Sequence, residues 1–382
     1  MTKWLRWSIL FLWLALASLE SAALGKEASD VPSLFSMSGY LMLDYDQYGA
    51  FYNKDNNTSM RHFELRRSKL SFTIKPHKKI KGVLQVKYSN EYQQEDALEL
   101  GDVYLNYSLM KKVGVRIGRF KEPFNLEQLT SSKDIATIER SLMTNTFSLG
   151  SNVGLMLYKN KKAYTWAWGV FRQEAKTTGE SDPKLRSMTG RMTYRLPNTT
   201  DTWHFGGTLS YQELDGDLVK FNGRGEVNSA QKVIRSASFN ANDLTLMQIE
   251  GAFSAAGLRL QVQGALAQVE QVDGRLWQYS GFDVLASYLL SGEHYAYKKG
   301  KFKSVKSHNS NGSWELVTRY SHLDLQDNDL GSKASIMLLG VNYYYGKKIK
   351  LMADLLLPTI EGNVVNTDQS GNAVSIRGQY AF

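Results

Sequence analysis

The chain has 382 residues, carries 46 Lys and Arg against 37 Asp and Glu for a formal charge of +9, and contains no cysteine. The lack of thiols excludes disulfides and a lipoprotein anchor. The usage of 21 Tyr, 16 Phe, 8 Trp and 31 Gly beside only 6 Pro favours strands and turns. Past the amino-terminal segment no apolar run approaches the ~18 consecutive residues of a spanning helix.

The first segment reads as a leader. Lys3 and Arg6 precede the apolar run "WSILFLWLALASL", and small residues follow as far as Gly25. This is the layout of a secretory signal peptide, and the run is too short for a transmembrane anchor. Cleavage after Ala23 or Gly25 is expected, leaving 26–382 as a single mature domain. Loss of Lys3, Arg6 and Glu20 would take the charge of +9 to +8.

From there the helical period is nearly absent, and alternation with period 2 recurs. It predicts strands at about 36–47, 61–75, 80–91, 98–109, 113–119, 152–158, 163–173, 187–195, 202–213, 243–254, 257–268, 276–290, 312–323, 333–345, 348–357 and 373–382, with "RSASFN" left to a loop. In "TWHFGGTLSYQE" Trp203, Phe205, Leu209 and Tyr211 share one face, and His204, Thr208, Ser210 and Gln212 the other. In "GLRLQVQGALAQ" Leu258, Leu260, Val262 and Leu266 oppose Arg259, Gln261 and Gln263. Two architectures accommodate such strands. A soluble sandwich or propeller hides the apolar faces between sheets. A transmembrane barrel turns them to lipid and keeps a wet lumen.

Three features favour the barrel: an export signal without an anchor, strands of about 10 residues, and connections that alternate between short and long. "KPHKK", "MKKV", "KNKK", "LPNTTD", "SAAG" and "YGKK" are short, whereas 48–60, 120–151, 174–186, 214–242 and 358–372 are long. The fold expected is therefore all-β, a 16-stranded antiparallel transmembrane β-barrel. A closed barrel also explains the chain's end, "SIRGQYAF". Val374, Ile376, Tyr380 and Phe382 share a face, so the last aromatic belongs in the interfacial belt of a strand paired with the first.

Three stretches carry a resemblance. One is "VRIGRFKEPFNLEQLTSSKDIATIERSL", with Gly118, Lys121, Pro123 and Phe124, then Ser131–Ser132 and Glu139–Arg140–Ser141. The others are "SYLLSGEHYAYKKGKF" followed by "GSWELVTRYSHLDL", and "LLGVNYYYGKKIKL". In this order they resemble the phosphate-selective porin O and P family. The resemblance implies an outer-membrane barrel of a Gram-negative bacterium, a homotrimer, and passage of small anions with phosphate or polyphosphate favoured. A terminal Phe on an alternating strand also resembles the signal read by the barrel-assembly machinery.

If apolar faces look outward to lipid, the inward bases are Arg67, Lys69, Lys87, Arg116, Arg191, Arg195, Arg259, Arg319 and Arg377. The inward acids are Glu91, Asp102, Glu250, Asp283 and Glu315. A positive wall concentrates anions, and arginine suits phosphate because its planar fork binds two oxygens and keeps its charge. The competing reading pairs these arginines with the acids as a structural brace. The strand at 61–75 is ambiguous, since Phe63 and Leu65 share the alternation face of Arg67.

In porins of this size the segment at about 120–151 folds into the barrel as a constriction. Here it carries Arg119, Lys121, Lys133 and Arg140 against Glu122, Glu127, Asp134 and Glu139. It is close to neutral, so either a weak anion site or a salt-bridged plug fits. "HYAYKKGKFKSVKSH" supplies Lys298, Lys299, Lys301, Lys303 and Lys306 between strands twelve and thirteen, on the periplasmic side. It reads as a basic exit or as a merely solvated loop. Lys121 at the constriction is expected to outweigh any one of these lysines.

His62, His77, His204, His294, His308 and His322 show no metal-ligand spacing, and no nucleophile-elbow or phosphate-loop motif occurs. No enzyme, cofactor or metal site is expected, and export argues against nucleic acid. Passive diffusion of anions leads. A general porin for polar solutes such as sugars stands second, with Tyr104, Tyr279 and Tyr344 inward, and a non-transport barrel third.

Overall fold

A computed structural model describes residues 34–52, 59–89, 97–172, 186–197, 201–307, 309–362 and 371–382. The expected leader and Glu91 lie outside the described residues. Sixteen antiparallel strands close one barrel. In chain order they are β1 (Phe35–Tyr48), β2 (Met60–His77), β3 (Ile80–Ser89), β4 (Ala97–Met110), β5 (Val113–Lys121), β6 (Ser151–Asn160), β7 (Tyr164–Arg172) and β8 (Arg186–Arg195). There follow β9 (Thr202–Val219), β10 (Phe239–Ala255), β11 (Leu258–Gln271), β12 (Leu276–Leu289), β13 (Ser313–Asp324), β14 (Ser332–Tyr345), β15 (Ile349–Gly362) and β16 (Ala373–Ala381). Each alternating segment of the sequence becomes one of them. Of "RSASFN", Arg235 joins a two-residue ladder with Asn222 and Phe239 opens β10.

The burial is inverted relative to a soluble protein. Phe63, Ile117, Met192 and Ile249 are 68%, 57%, 67% and 73% exposed, while Thr189, Ser210, Gln263 and Arg319 are buried. Apolar side chains outside and polar ones inside suit a lipid-facing wall and exclude the sandwich. The barrel closes by pairing β1 with β16 from Tyr40↔Ala381 to Tyr48↔Ala373. The Gly39 and Phe382 backbones add bonds of 2.9 and 3.0 Å, so the last residue is held. Trp203–Phe253, Trp314–Tyr343 and Tyr380–Phe382 lie 4.5, 4.8 and 6.1 Å apart between ring centroids. They ring the end of the barrel that carries the chain's terminus, at the level where aromatic rings favour headgroups.

A β-bulge resolves the ambiguity in β2. Leu43 pairs with Leu65 and Met42 with Arg67, so Arg66 is the extra residue. A bulge resets the side-chain period. Phe63 and Leu65 therefore face out, while Arg66 and Arg67 both reach inward to Glu139 and Ser132.

The lumen holds the core. The β5–β6 connection, 122–150, enters it with two short helices, α1 (Leu126–Leu129) and α2 (Leu142–Phe147). Phe124, Leu142, Met143 and Phe147 pack there with Phe51 and Tyr52 of the β1–β2 connection and with Val227, Val233 and Ile234 of the β9–β10 connection. The segment 290–307 enters from the other end. It does not stay at the mouth, as its lysines suggested. Tyr295, Phe302 and Val305 bury themselves against Leu126, Leu289 and Tyr344.

Candidate functional site

The β5–β6 connection is stitched to one arc of the wall. Asn125 caps α1 by accepting from the Gln128 amide at 2.6 Å. The amides of Leu126 and Glu127 donate to Glu250 Oε2 and Gln263 Oε1 at 2.8 and 3.1 Å. Further along, the Ile138 amide donates to Asp354 Oδ2, Lys350 Nζ to the Ile135 carbonyl and Asn342 Nδ2 to the Ala136 carbonyl, each at 2.7 Å. Each bond satisfies a main-chain group that would otherwise sit buried and unpaired.

The arginines of that arc serve the same brace. Arg377 grips Asp44 through Nε and Nη2 at 2.7 and 2.6 Å and reaches Glu139 at 2.9 Å. Arg319 meets Glu127 at 3.2 Å and also pairs with Glu226. Arg259 lies 3.7 Å from Glu315 and over the ring of Tyr295. Arg191 reaches the brace from β8, on the border with the opposite arc, where it pairs with Glu250 and donates to the Gly300 carbonyl. Arg140 spends its donors on the Glu127 and Thr130 carbonyls. Burial opposes the charge on Glu139, yet Arg66 and Arg377 override it and hold that carboxyl well below the usual range. Arg195 rests on the ring of Tyr297 at 5.8 Å.

The opposite arc is different. Against β2–β8 a cavity of ≈ 750 Å³ is lined by Lys75, Lys78, Lys79, Lys81, Arg116, Lys121, Arg191, Lys299 and Lys301, with His77, and no Asp or Glu lines it among the described residues. Arg116 is held upright on the wall. Its guanidinium stacks over Tyr104 at 4.1 Å and Phe120 at 5.1 Å, and Nε donates to Asn106 at 2.9 Å. Lys121 Nζ and Lys301 Nζ donate to the successive carbonyls of Gln128 and Leu129, each at 2.9 Å. An ammonium has three donors, so each anchored lysine keeps others for a ligand.

Burial, then Lys303, Arg116 and Arg191, push the Lys301 ammonium down to about 7. Lys299 is lowered by burial and by Lys298. These are cations crowded together, and a bound anion would relieve them. Gly300 lets the tip approach the wall. Its φ is +72°, and a Cβ there would stand 3.0 and 3.1 Å from the hydroxyls of Thr165 and Thr193.

Of the residues expected from sequence, the cavity thus gathers Arg116, Lys121, Arg191, Lys299 and Lys301. Arg119 has the outward parity of β5, opposite Arg116 and Phe120, and donates to the Leu100 and Gly101 carbonyls. Lys133 pairs with Asp134 at 2.7 Å, and Lys303 stands 4.0 Å from the same carboxylate. Lys87 pairs with Glu99 at 2.7 Å and faces Lys69 across the ladder. Lys298 and Lys306 are exposed and do not line the cavity. Glu122 offsets no cation of the loop. It accepts from Asn152, Ser187 and Thr189, and burial raises its pKa.

The alternation reading missed Lys75, Lys78 and Lys79, which it treated as the connection "KPHKK", and left Lys81 of the strand at 80–91 out of its inward bases. It also missed the inward acids Asp44, Asp46, Glu64 and Asp354, all buried. Tyr40 and Met42 share the face of the first two, and in β15 Asp354 shares a face with Met352 and Leu356, so parity did not mark these acids as inward. These acids offset much of the lumen's expected positive excess.

A family model for phosphate-selective porin O and P matches residues 35–382. The chain is 25% identical to Porin O of Pseudomonas aeruginosa, over 95% of this chain and 91% of that one. The solved anion-selective porin from Comamonas acidovorans aligns with TM-score 0.58 at 15% identity, covering 91% of this chain and 99% of the other. OmpT of Vibrio cholerae, in a trimer form, aligns with TM-score 0.58 at 10% identity, covering 91% and 99%. At those identities the two structures bear on the fold alone.

Proposed function

Since the chain belongs to the phosphate-selective porin O and P family, and so to the outer membrane of a Gram-negative bacterium, we propose that this anion porin selects at the carboxylate-free cavity, with phosphate or polyphosphate favoured. One observation carries the reading: among the described residues every charged one lining that cavity is basic, and although Arg191 there pairs with Glu250, the arginines Arg319 and Arg377 of the braced arc each meet two carboxylates. An anion drawn to this vestibule meets Arg116 on the wall, Lys121 and Lys301 on the loop carbonyls, and Lys299 at the tip. Low-dielectric walls strengthen each of these attractions. Of the tyrosines that favoured sugars, only Tyr104 lines the cavity, beneath Arg116. Tyr279 and Tyr344 are buried in packing.

The same reading covers biogenesis. The leader at 1–25 supports export and cleavage, and Phe382 on the closing strand supports insertion by the barrel-assembly machinery. The trimer form of OmpT supports assembly as a homotrimer. Single channels in a salt gradient test the function. The expected reversal potential has the sign of anion preference, and phosphate should inhibit chloride current because a bound ion must leave before the next passes. A cation-selective or ohmically indifferent channel would refute it.

A further inference from the structure

We infer that the outer face of β6 and β7, at the end of the barrel bearing the chain terminus, holds a site for an anionic glycerophospholipid of the adjoining leaflet. Two neighbouring turns build it. The β4–β5 turn carries Lys111 and Lys112, and the β6–β7 turn Lys161 and Lys162, all exposed. The Asn160 amide donates to the Lys112 carbonyl at 2.9 Å, which ties one turn to the other. Lys159 joins them from the wall, because it shares the outward parity of Leu155 and Leu157.

The arrangement is amphipathic across the membrane boundary. Lys159 Nζ and Lys161 Nζ lie 5.7 and 5.2 Å from the ring of Tyr164, and Trp166 faces Lys159 across the ladder. Ammonium groups beside interfacial Tyr and Trp sit at headgroup depth. Below them the wall is apolar, with Leu155 and Trp168 each 50% exposed. Neither 103–118 nor 151–172 contains an Asp or Glu. The side chains outside this wall therefore present positive charge to the headgroups and hydrocarbon to the acyl chains. A phosphodiester headgroup with two acyl chains answers both. A free phosphate answers the first alone. Asn160 and Trp166 also reach the rim of the conduction cavity, but Lys111, Lys112, Lys159, Lys161 and Lys162 do not line it, so the headgroup cations of this site are not those of the cavity.

The absence of cysteine permits a local probe. The full barrel would carry a single fluorophore at A163C beside the patch, or at A255C beside the lysine-free β10–β11 turn, in phosphatidylcholine vesicles. Spin-labelled phosphatidylglycerol and spin-labelled phosphatidylcholine would be compared as quenchers at equal mole fraction. Position 163 should favour the anionic quencher by about twofold or more, since each interfacial Lys adds attraction to anionic lipid, and position 255 should not. Changing Lys111, Lys112, Lys159, Lys161 and Lys162 to Gln should erase the preference. Should that variant fail to fold, K161Q with K162Q on the exposed turn should reduce it. Equal quenching at 163 in the unmodified barrel, a preference untouched by the Gln variants, or equal preference at 255 would overturn the site. Loss of the preference on adding millimolar inorganic phosphate would assign the patch to a free anion. An altered oligomeric state in the Gln variants would assign the face to a second copy, and either result overturns the lipid.

Discussion

Two arcs of one barrel wall use cations for opposite ends. On the braced arc Arg259, Arg319 and Arg377 face carboxylates and hold the β5–β6 connection in place. On the open arc Lys81, Arg116 and Lys121 stand around a cavity that no carboxylate lines. Formal charge does not separate the two arcs. The difference is whether a loop brings an acid to each base. A buried pair is nearly neutral to an approaching ion, whereas a cation facing only other cations keeps its field.

The largest effect should come from breaking the brace. Arg377→Gln strands Asp44 as a buried charge and leaves Glu139 to Arg66 alone, and breaking a buried pair in this way typically costs about 3–5 kcal/mol. Denaturant unfolding of the barrel should show a loss of that order, with noisier and larger conductance as the loop loosens. Unchanged stability would mean that the pair is solvated.

On the open arc, Lys121→Glu and Lys301→Glu should each cut anion preference several-fold while leaving the barrel folded, since charge reversal acts at short range in a low dielectric. Sequence alone placed Lys121 at a constriction and Lys301 in a distant mouth. Their anchoring to adjacent carbonyls now predicts comparable effects. A tenfold disparity in reversal-potential shift would show that the two ammoniums do not serve one site.

A pH titration sharpens the contrast. Lys301, depressed to about 7, is charged below that value and neutral above it. Anion preference should therefore be higher at pH 6 than at pH 8. Lys301→Arg should flatten the profile, because arginine keeps its charge. A flat profile in the unmodified protein would remove Lys301 from the selectivity.

Smaller still is Gly300→Val. Strain at positive φ costs roughly 1–2 kcal/mol, and the clash with Thr165 and Thr193 should lift the tip. Current recordings should show a modest rise in conductance with weaker phosphate block. The least effect is expected from Arg195→Gln, whose guanidinium rests on Tyr297 and does not line the cavity. A large selectivity shift there would place the site elsewhere in the lumen.

The sequence by itself determined the wall. Period-2 alternation is a local property, and lipid outside with water inside enforces it strand by strand. Hence all sixteen segments and the inward parity of Arg116, Arg191 and Arg377 could be read directly. The bulge at Arg66 could not, because one extra residue reverses parity without leaving any mark in composition. Nor could the roles of the inward cations. Whether Arg319 selects or braces depends on Glu127 and Glu226, 192 and 93 residues away. Lys301 belongs to the site because Tyr295 and Phe302 draw the segment 290–307 into the lumen. Such pairings arise only when loops from both ends meet inside the closed barrel, so tertiary structure alone decided which charges were neutralised and which were left to face an ion.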